Sequence, residues 1–211
     1  DLKQVCDEVG AEYHQMPFDS GVCYARNRLV ELVKTKYVLV GDDDFFYDEN
    51  AGVDKMKQFL DGMSHYDLIG GRVNEGGKTR NYQGHIIRHD DQIEIIPLDL
   101  GEYSTCKGIK YKEANLTFNY FLARTDRIKN TKWDEEIKVA YEHLTWFIDF
   151  MDNGGHVAFS PDPIVIHKPK HVDPEQSGEY PAFRSRKCDK VRFFEKFGVD
   201  YTITMNGTID L

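Results

Sequence analysis

An apolar run that ends in three consecutive carboxylates constrains this chain more than any other feature. Residues 36–46 read Lys36-Tyr37-Val38-Leu39-Val40-Gly41-Asp42-Asp43-Asp44-Phe45-Phe46. Such β-formers predict a short buried strand, and acids at its end lie at the carboxyl edge of a sheet, where open α/β sheets hold ligands. Alternate residues of an extended segment point the same way, so Asp42 and Asp44 converge while Asp43 faces elsewhere. Two hard oxygen donors suit Mg²⁺ or Mn²⁺, which keeps several waters and completes its shell with substrate phosphates. The plainer alternative is an acidic turn, since Asp is common in turns. Three adjacent like charges repel one another, which favours a site with a counter-ion.

The 211 residues fit one domain with a sizeable core. Hydrophobic residues make up 40%, and no run approaches the length of a membrane span, so no membrane segment is expected. The net charge of −9 argues against nucleic acid as a partner, because phosphate backbones are held by clustered Lys and Arg. Cys6, Cys23, Cys106 and Cys188 are scattered, which offers neither a zinc knuckle nor a disulfide framework and suits a reducing compartment. Asn115-Leu116-Thr117 and Asn206-Gly207-Thr208 match the N-glycosylation pattern, a motif short enough to arise by chance. The first residue is Asp1 and no signal-peptide pattern follows. That is compatible with a soluble cytoplasmic protein or with a lumenal catalytic fragment of a longer one.

Along the chain, residues 2–9 read as a helix, 12–16 as a strand and 17–21 as a turn. Residues 25–34 read as a helix with Leu29, Val30, Leu32 and Val33 on one side. Residues 53–60 form an amphipathic pattern, and 66–69 a strand ending at Gly70-Gly71-Arg72, where glycines permit close backbone approach or a tight turn. Helix and strand alternate, which is α/β grammar and predicts a single domain with a mixed sheet flanked by helices. Residues 74–115 read as an irregular insertion with a hairpin near 92–100. Thereafter come a strand at 117–123, a helix at 141–151, strands at 157–160 and 164–166, and a helix at 188–197. The polar segment 168–187 reads as a mobile loop.

Chemistry-bearing residues recur in order: the Asp triplet, then Trp133 to Ile137 and Val139 to His143, then His167 at the end of the apolar run Ile164-Val165-Ile166. The ordered set Met16-Pro17-Phe18, Ala25-Arg26-Asn27, Thr35 to Leu39, Asp42 to Phe45, Asn119 to Asp126 and Val139-Ala140 resembles the catalytic domain of the β-1,4-N-acetylgalactosaminyltransferases that make gangliosides. More broadly it resembles the metal-dependent GT-A glycosyltransferases, over roughly residues 12–170. A looser likeness, with no motif of its own, is to capsid-modifying glycosyltransferases of large algal viruses.

The resemblance implies a Rossmann-like GT-A fold and a UDP-sugar donor. It further implies a glycan or glycoprotein acceptor and a Mn²⁺ or Mg²⁺ ion bridging Asp44 to the diphosphate. Asp42 would face the ribose or a metal-bound water, and His167 would be a third metal ligand, although a lone His is more often structural. Glu142 and His143 open a helix, where the family places its general base. This chain has Glu-His instead of a paired acidic motif, and Glu142 is preferred, against the alternative that it merely charges a helix terminus. Arg26, Asn27, Asp43, Arg72, Lys168 and Lys170 are expected around the nucleotide-sugar, with His171, Arg184, Arg186 and Lys187 closing a basic lid or forming a solvated tail. GT-A enzymes normally begin with a strand, helix and strand that wall the base, and the resemblance leads to the expectation that the residues of this sequence follow that part.

Inversion is expected, since a single displacement needs a base and no covalent nucleophile. Two other readings are a phosphohydrolase with Asp42 as nucleophile and Asp44 as acid/base, and a nucleotide-sugar-binding module without activity. Against the first, Phe45-Phe46-Tyr47 stand where a small hydroxyl residue is expected.

Overall fold

A computed structural model describes residues 2–80, 82–168, 183, 186–204 and 207–210, with only the backbone described at Thr208 and Asp210. The helices are α1 (Leu2–Val9), α2 (Val22–Leu32), α3 (Val53–Gly62), α4 (Thr125–Asn130), α5 (Glu142–Asp152) and α6 (Lys187–Phe197). The strands are β1 (Tyr37–Val40), β2 (Phe45–Phe46), β3 (Leu68–Glu75), β4 (Lys78–Thr79), β5 (Gly84–Arg88), β6 (Gln92–Pro97), β7 (Ser104–Cys106), β8 (Ile109–Ala114), β9 (Phe121–Arg124), β10 (Val157–His167), β11 (Tyr201–Thr204) and β12 (Gly207–Asp210).

The larger sheet has the order β1-β9-β3-β10-β8-β7, with β2 added to the end of β10 and β4 to the end of β3. Strand β9 is antiparallel to both β1 and β3, and β3 is parallel to β10. Strands β1, β3 and β10 therefore run the same way, and their carboxyl ends share one edge with the amino end of β9. The smaller sheet, β12-β11-β6-β5, is built on the β5–β6 hairpin with β11 parallel to β6. This is the mixed α/β sheet flanked by helices that the sequence predicts.

Strand alternation sorts the core onto the two faces of the larger sheet. Leu68, Phe121, Ala123, Val157 and Phe159 point to one cluster, with Trp133, Trp146, Phe147 and Phe150 beneath α5. Their neighbours Ile69, Val73, Leu122, Ala158 and Val165 point to the other, with Met56, Phe59 and Leu60 of α3. Trp146 stacks between Trp133 and Phe150 at centroid distances of 4.7 and 4.9 Å. Each such fully buried side chain contributes about 1.5–3 kcal/mol of transfer free energy.

Several local expectations change. Residues 12–16 form no strand. Helix α2 starts at Val22, and the face it buries is Cys23, Asn27 and Val30, while Leu29 and Leu32 are exposed: the helix packs a polar Asn inward and leaves half of the expected apolar stripe to solvent. Strand β3 does not stop at the glycine pair. It runs through Gly70 and Gly71 because Thr117 and Tyr120 lie so close on its two faces that only hydrogen fits. The two short strands after Val157 are one strand, and Pro161 and Pro163 fall where its register with β3 shifts between Phe159 and Ile164. Residues 74–115 are more regular than their composition suggests, since β4 to β8 arise there. Of the expected loop 168–187, only Lys168, Phe183, Arg186 and Lys187 are among the described residues.

A methyl at Gly71 would sit 2.5 Å from the Tyr120 ring and 2.8 Å from Met56. Gly71→Ala is therefore expected to destabilise the protein by about 1–3 kcal/mol. The check is urea denaturation, in which the midpoint falls and the slope stays the same.

Candidate active site

The shared strand edge gathers the chemistry. Past β1, the triplet turns at once into β2, whose Phe45 pairs with His167 and whose Phe46 pairs with Ile166 at the end of β10. The Lys168 N–H donates to the Asp44 carbonyl at 2.9 Å, closing the pairing. This ladder brings His167 Nε2 to 2.9 Å from Asp44 Oδ2. On the other side of the ring, Nδ1 lies 3.2 Å from Glu75 Oε2 at the end of β3.

A second cluster forms where α2, β9 and α5 meet the same edge. Arg26 donates from Nη1 to Glu142 Oε2 at 2.7 Å and from Nη2 to Asp42 Oδ1 at 3.2 Å. Its guanidinium lies 5.8 Å from the Trp133 ring centroid. Burial raises the Glu142 pKa, opposed by Arg26 and by a hydrogen bond from Asn119 and reinforced by Asp42. Burial likewise raises Asp42, with Arg26 opposing it and Asp44 adding to it. Each carboxylate thus feels its neighbours along the whole edge.

The segment that delivers Glu142 is fastened at its backbone. Asp189, buried in the first turn of α6, accepts from the N–H groups of Lys138 at 3.1 Å, Val139 at 2.9 Å and Ala140 at 2.9 Å. Val22 N–H donates to the Lys138 carbonyl at 2.8 Å. That approach requires Gly21, which has φ 85° and whose added Cβ would meet Lys138 Cα at 2.8 Å. The Lys138 side chain reaches Asp19 at 3.1 Å, and Asp19 in turn pairs with Arg186. Tyr141 then takes a left-handed conformation, φ 64°, and α5 begins at Glu142.

Of the residues singled out in the sequence, Arg26, Asp42, Asp44, Glu142 and His167 come together. His143 takes a different place: Nδ1 lies 2.6 Å from Asn119 Oδ1, Nε2 meets the Thr117 carbonyl, and the ring packs against Tyr82 and Phe147. Burial, helped by the charge on Arg26, lowers its pKa to about 3 against the opposing Thr117 bond. It fixes Asn119, which favours the ionised forms of the two carboxylates.

Asn27 is corrected from ligand contact to scaffold. Its amide is spent on the Trp133 carbonyl, Glu135 and the Trp133 N–H, all at 2.9 Å. Asp43 is exposed, and Lys168 lies 4.1 Å from the Phe46 ring centroid on the outer side of the turn. Arg72 has no hydrogen bond to Asp42, Asp44 or His167; its charge acts on Tyr103. Lys170, His171 and Arg184 lie outside the described residues.

Sequence reading missed Asn119, Glu75, Arg80 and Asp189 as site residues. Gly76-Gly77, both with positive φ, marks a two-residue hairpin that places Glu75 and was legible as such. An acid in the first turn of a helix was the only signal for Asp189.

Among the described residues, no three His, Cys, Asp or Glu side chains converge as a ready cation cage. Asp44 and His167 offer two donors, and donors about 2.1 Å from one octahedral ion stand about 3 Å apart, which their separation matches. Such a pair fits an ion whose remaining ligands are water and phosphate oxygens.

No family model matches the chain. Over 172 residues it is 30% identical to "Beta-1,4 N-acetylgalactosaminyltransferase 1" of Rattus norvegicus, covering 75% of this chain and 30% of the relative. The chain is similar to β-1,4-N-acetylgalactosaminyltransferases. The Homo sapiens protein of the same name is 28% identical over 172 residues, again 75% of this chain and 30% of the relative. "Beta-1,4 N-acetylgalactosaminyltransferase 2" of Mus musculus is 29% identical over 142 residues, 65% and 26% respectively. The chain spans less than a third of the length of these curated relatives. They bear out the resemblance read from the ordered motifs, and being mammalian they do not bear on the looser viral likeness. Among the described residues, no helix is long and apolar enough to cross a membrane.

Replacing Asp189 leaves three backbone donors without their acceptor. Asp189→Ala is expected to cost about 1–3 kcal/mol or more of stability. Hydrogen exchange should show the Val139 and Ala140 amides losing protection before the rest of the core.

Proposed function

We propose that this chain is a metal-dependent glycosyltransferase that moves a sugar from a UDP-sugar to a hydroxyl of a glycan or glycoprotein, with inversion. The observation that carries the reading is the placement of Asp44 and His167 on the same sheet edge as the mostly shielded Glu142, with Arg26 bonded to both Asp42 and Glu142. Similarity to the N-acetylgalactosaminyltransferases supports a hexose or N-acetylhexosamine as the transferred group. The uridine part of the donor rests on that similarity alone.

In this reading Asp44 and His167 hold Mn²⁺ or Mg²⁺, with Asp42 facing the ribose or a metal-bound water. When bound, the ion supplies Lewis acidity that neutralises charge on the departing nucleoside diphosphate. Glu142 takes the proton of the attacking hydroxyl. Its burial moves its pKa towards the working pH, which suits a general base. Arg26 keeps the carboxylate ionised before the reaction, and Asn119 fixes its orientation. His143 is a poor base here, since its ring nitrogens are engaged with Asn119 and Thr117.

Calorimetric titration of UDP with Mn²⁺, then with chelator, tests the donor site; transfer assays with a panel of UDP-sugars test the reaction. Asp44→Ala is expected to abolish metal-dependent UDP binding, and an unchanged affinity would remove Asp44 from the site. Glu142→Gln is expected to leave UDP affinity near wild type and to cut transfer about 10²–10⁴-fold.

The pH dependence follows from the sign of the Glu142 shift. Transfer needs the carboxylate, so activity rises with pH through the raised pKa. Arg26 opposes that rise in pKa, so Arg26→Met is expected to move the acidic limb of the kcat profile to higher pH. A limb that stays in place would take proton abstraction away from Glu142.

A further inference from the structure

We infer that a basic cleft at the far end of β1 from the candidate active site binds a phosphate group. Tyr37 pairs with Arg124 at that end, whereas Val40 pairs with Phe121 at the end that leads to Asp42. The cleft, about 630 Å³, lies between the α2–β1 connection and α4 and is lined by Lys34, Lys36, Arg124 and Lys129 together with Thr125. One acid, Asp126, shares the lining, so four cations meet a single carboxylate there in a chain whose net charge is −9. The two walls are tied to each other. Thr125 N–H donates to the Lys36 carbonyl at 3.1 Å, and Lys129 Nζ to the Val33 carbonyl at 2.7 Å.

Little of the positive charge is neutralised. Arg124 donates to the carbonyls of Leu60, Met63 and Tyr66, and Lys129 to that of Val33; among the described residues neither meets a carboxylate. Lys34 is exposed and forms no ion pair among the described residues. Lys36 pairs with Asp61 at 2.7 Å, an acid that Lys57 also holds at 2.9 Å. A hydroxyl supplies the second, independent observation. Thr125 is only 6% exposed, and its Oγ1 is buried without a hydrogen-bond partner. An unpaired buried hydroxyl is unfavourable, and an anion held by the surrounding ammonium groups gives it an acceptor. The donor set also selects the anion. A planar carboxylate is matched by a guanidinium fork, but the fork of Arg124 is engaged with carbonyls, and what remains are lysines, compact charges with three donors each that suit a tetrahedral dianion. Such a phosphate is carried by a soluble ester or by a lipid headgroup.

The test is calorimetric titration with inorganic phosphate in the absence of divalent metal, on wild type, Lys129→Met and Thr125→Val. Amide chemical shifts locate the binding, and melting temperature checks the fold. Phosphate is expected to move the amides of residues 33–36 and 124–129 and to leave those of residues 42–44 in place. Each substitution is expected to weaken phosphate about tenfold or more. Thr125→Val should melt no lower than wild type, because it removes a polar group that has no partner. Sedimentation with phosphatidylcholine vesicles, with and without phosphatidic acid, separates the two sources. Uptake by phosphatidic acid vesicles that Thr125→Val abolishes assigns a lipid headgroup, and phosphate binding without uptake assigns a soluble phosphate. Neither phosphate binding nor uptake by wild type would overturn the proposal, as would binding that survives both substitutions or moves only residues 42–44. Transfer activity enters none of these readouts, so the result is independent of the function proposed above.

Discussion

The guanidinium of Arg26, shared between Asp42 and Glu142, is the interaction on which the site depends. Three separate pieces of chain meet there: α2, the turn after β1, and the start of α5. Both partners in the Arg26–Glu142 pair are mostly shielded, with side chains 14% and 11% exposed. Burying one carboxylate beside another is unfavourable twice over, by desolvation and by repulsion. A single planar cation that meets both offsets these costs, and its fork geometry suits two acceptors better than an ammonium would. Removing one partner of such a pair typically costs about 3–5 kcal/mol, because the remaining charge stays buried.

That cation can be placed there only because the sheet puts its strand ends in register. Strands β1, β3 and β10 share a direction, so Asp44, Glu75 and His167 all emerge at one edge, and the antiparallel β9 contributes Asn119 from its amino end. Gly70 and Gly71 let the Thr117–Tyr120 segment press against β3, which brings Asn119 to the carboxylates. The two faces of the sheet are closed by different helices, α5 on one and α3 on the other. Packing of Trp146 against Trp133 therefore fixes the Glu142 side, and the β2–β10 pairing fixes the His167 side.

Much of this was legible in the sequence because the signals were local. Val38-Leu39-Val40 followed by acids read as a strand feeding a sheet edge in preference to an acidic turn, and residues 141–151 read as a helix, which is α5. What was not legible was set by tertiary packing. Leu29 and Leu32 suggested a buried stripe, yet the buried face of α2 turns on Asn27, whose amide matches the backbone of Trp133. Pro161 and Pro163 suggested a break, yet the ladder absorbs them at a register shift. The function of Asp189 depends on backbone donors about fifty positions earlier, and nothing in the local sequence announces such a partner. Glu75 is intermediate: the Gly76-Gly77 turn was visible, but its pairing to β10 was not.

The two halves of the site are held by unlike means, and this has a consequence for how they respond to change. Asp44 directly precedes β2, which pairs with the end of β10 that carries His167, and Lys168 N–H bonds the Asp44 carbonyl, so the pair keeps its geometry as long as that pairing does. Glu142 follows a left-handed Tyr141 and a loop held by a few contacts, chief among them Asp189 on a helix much later in the chain. Loops held by few contacts open locally at lower free energy than sheet ladders. The Glu142 half is thus the one that can adjust, while the Asp44–His167 half stays fixed. Arg26 joins the two, so any movement of Glu142 is felt at Asp42, and the charge at Asp42 is felt at Glu142. Coupling of that kind makes the Asp42 and Glu142 ends of the site respond to each other through one guanidinium.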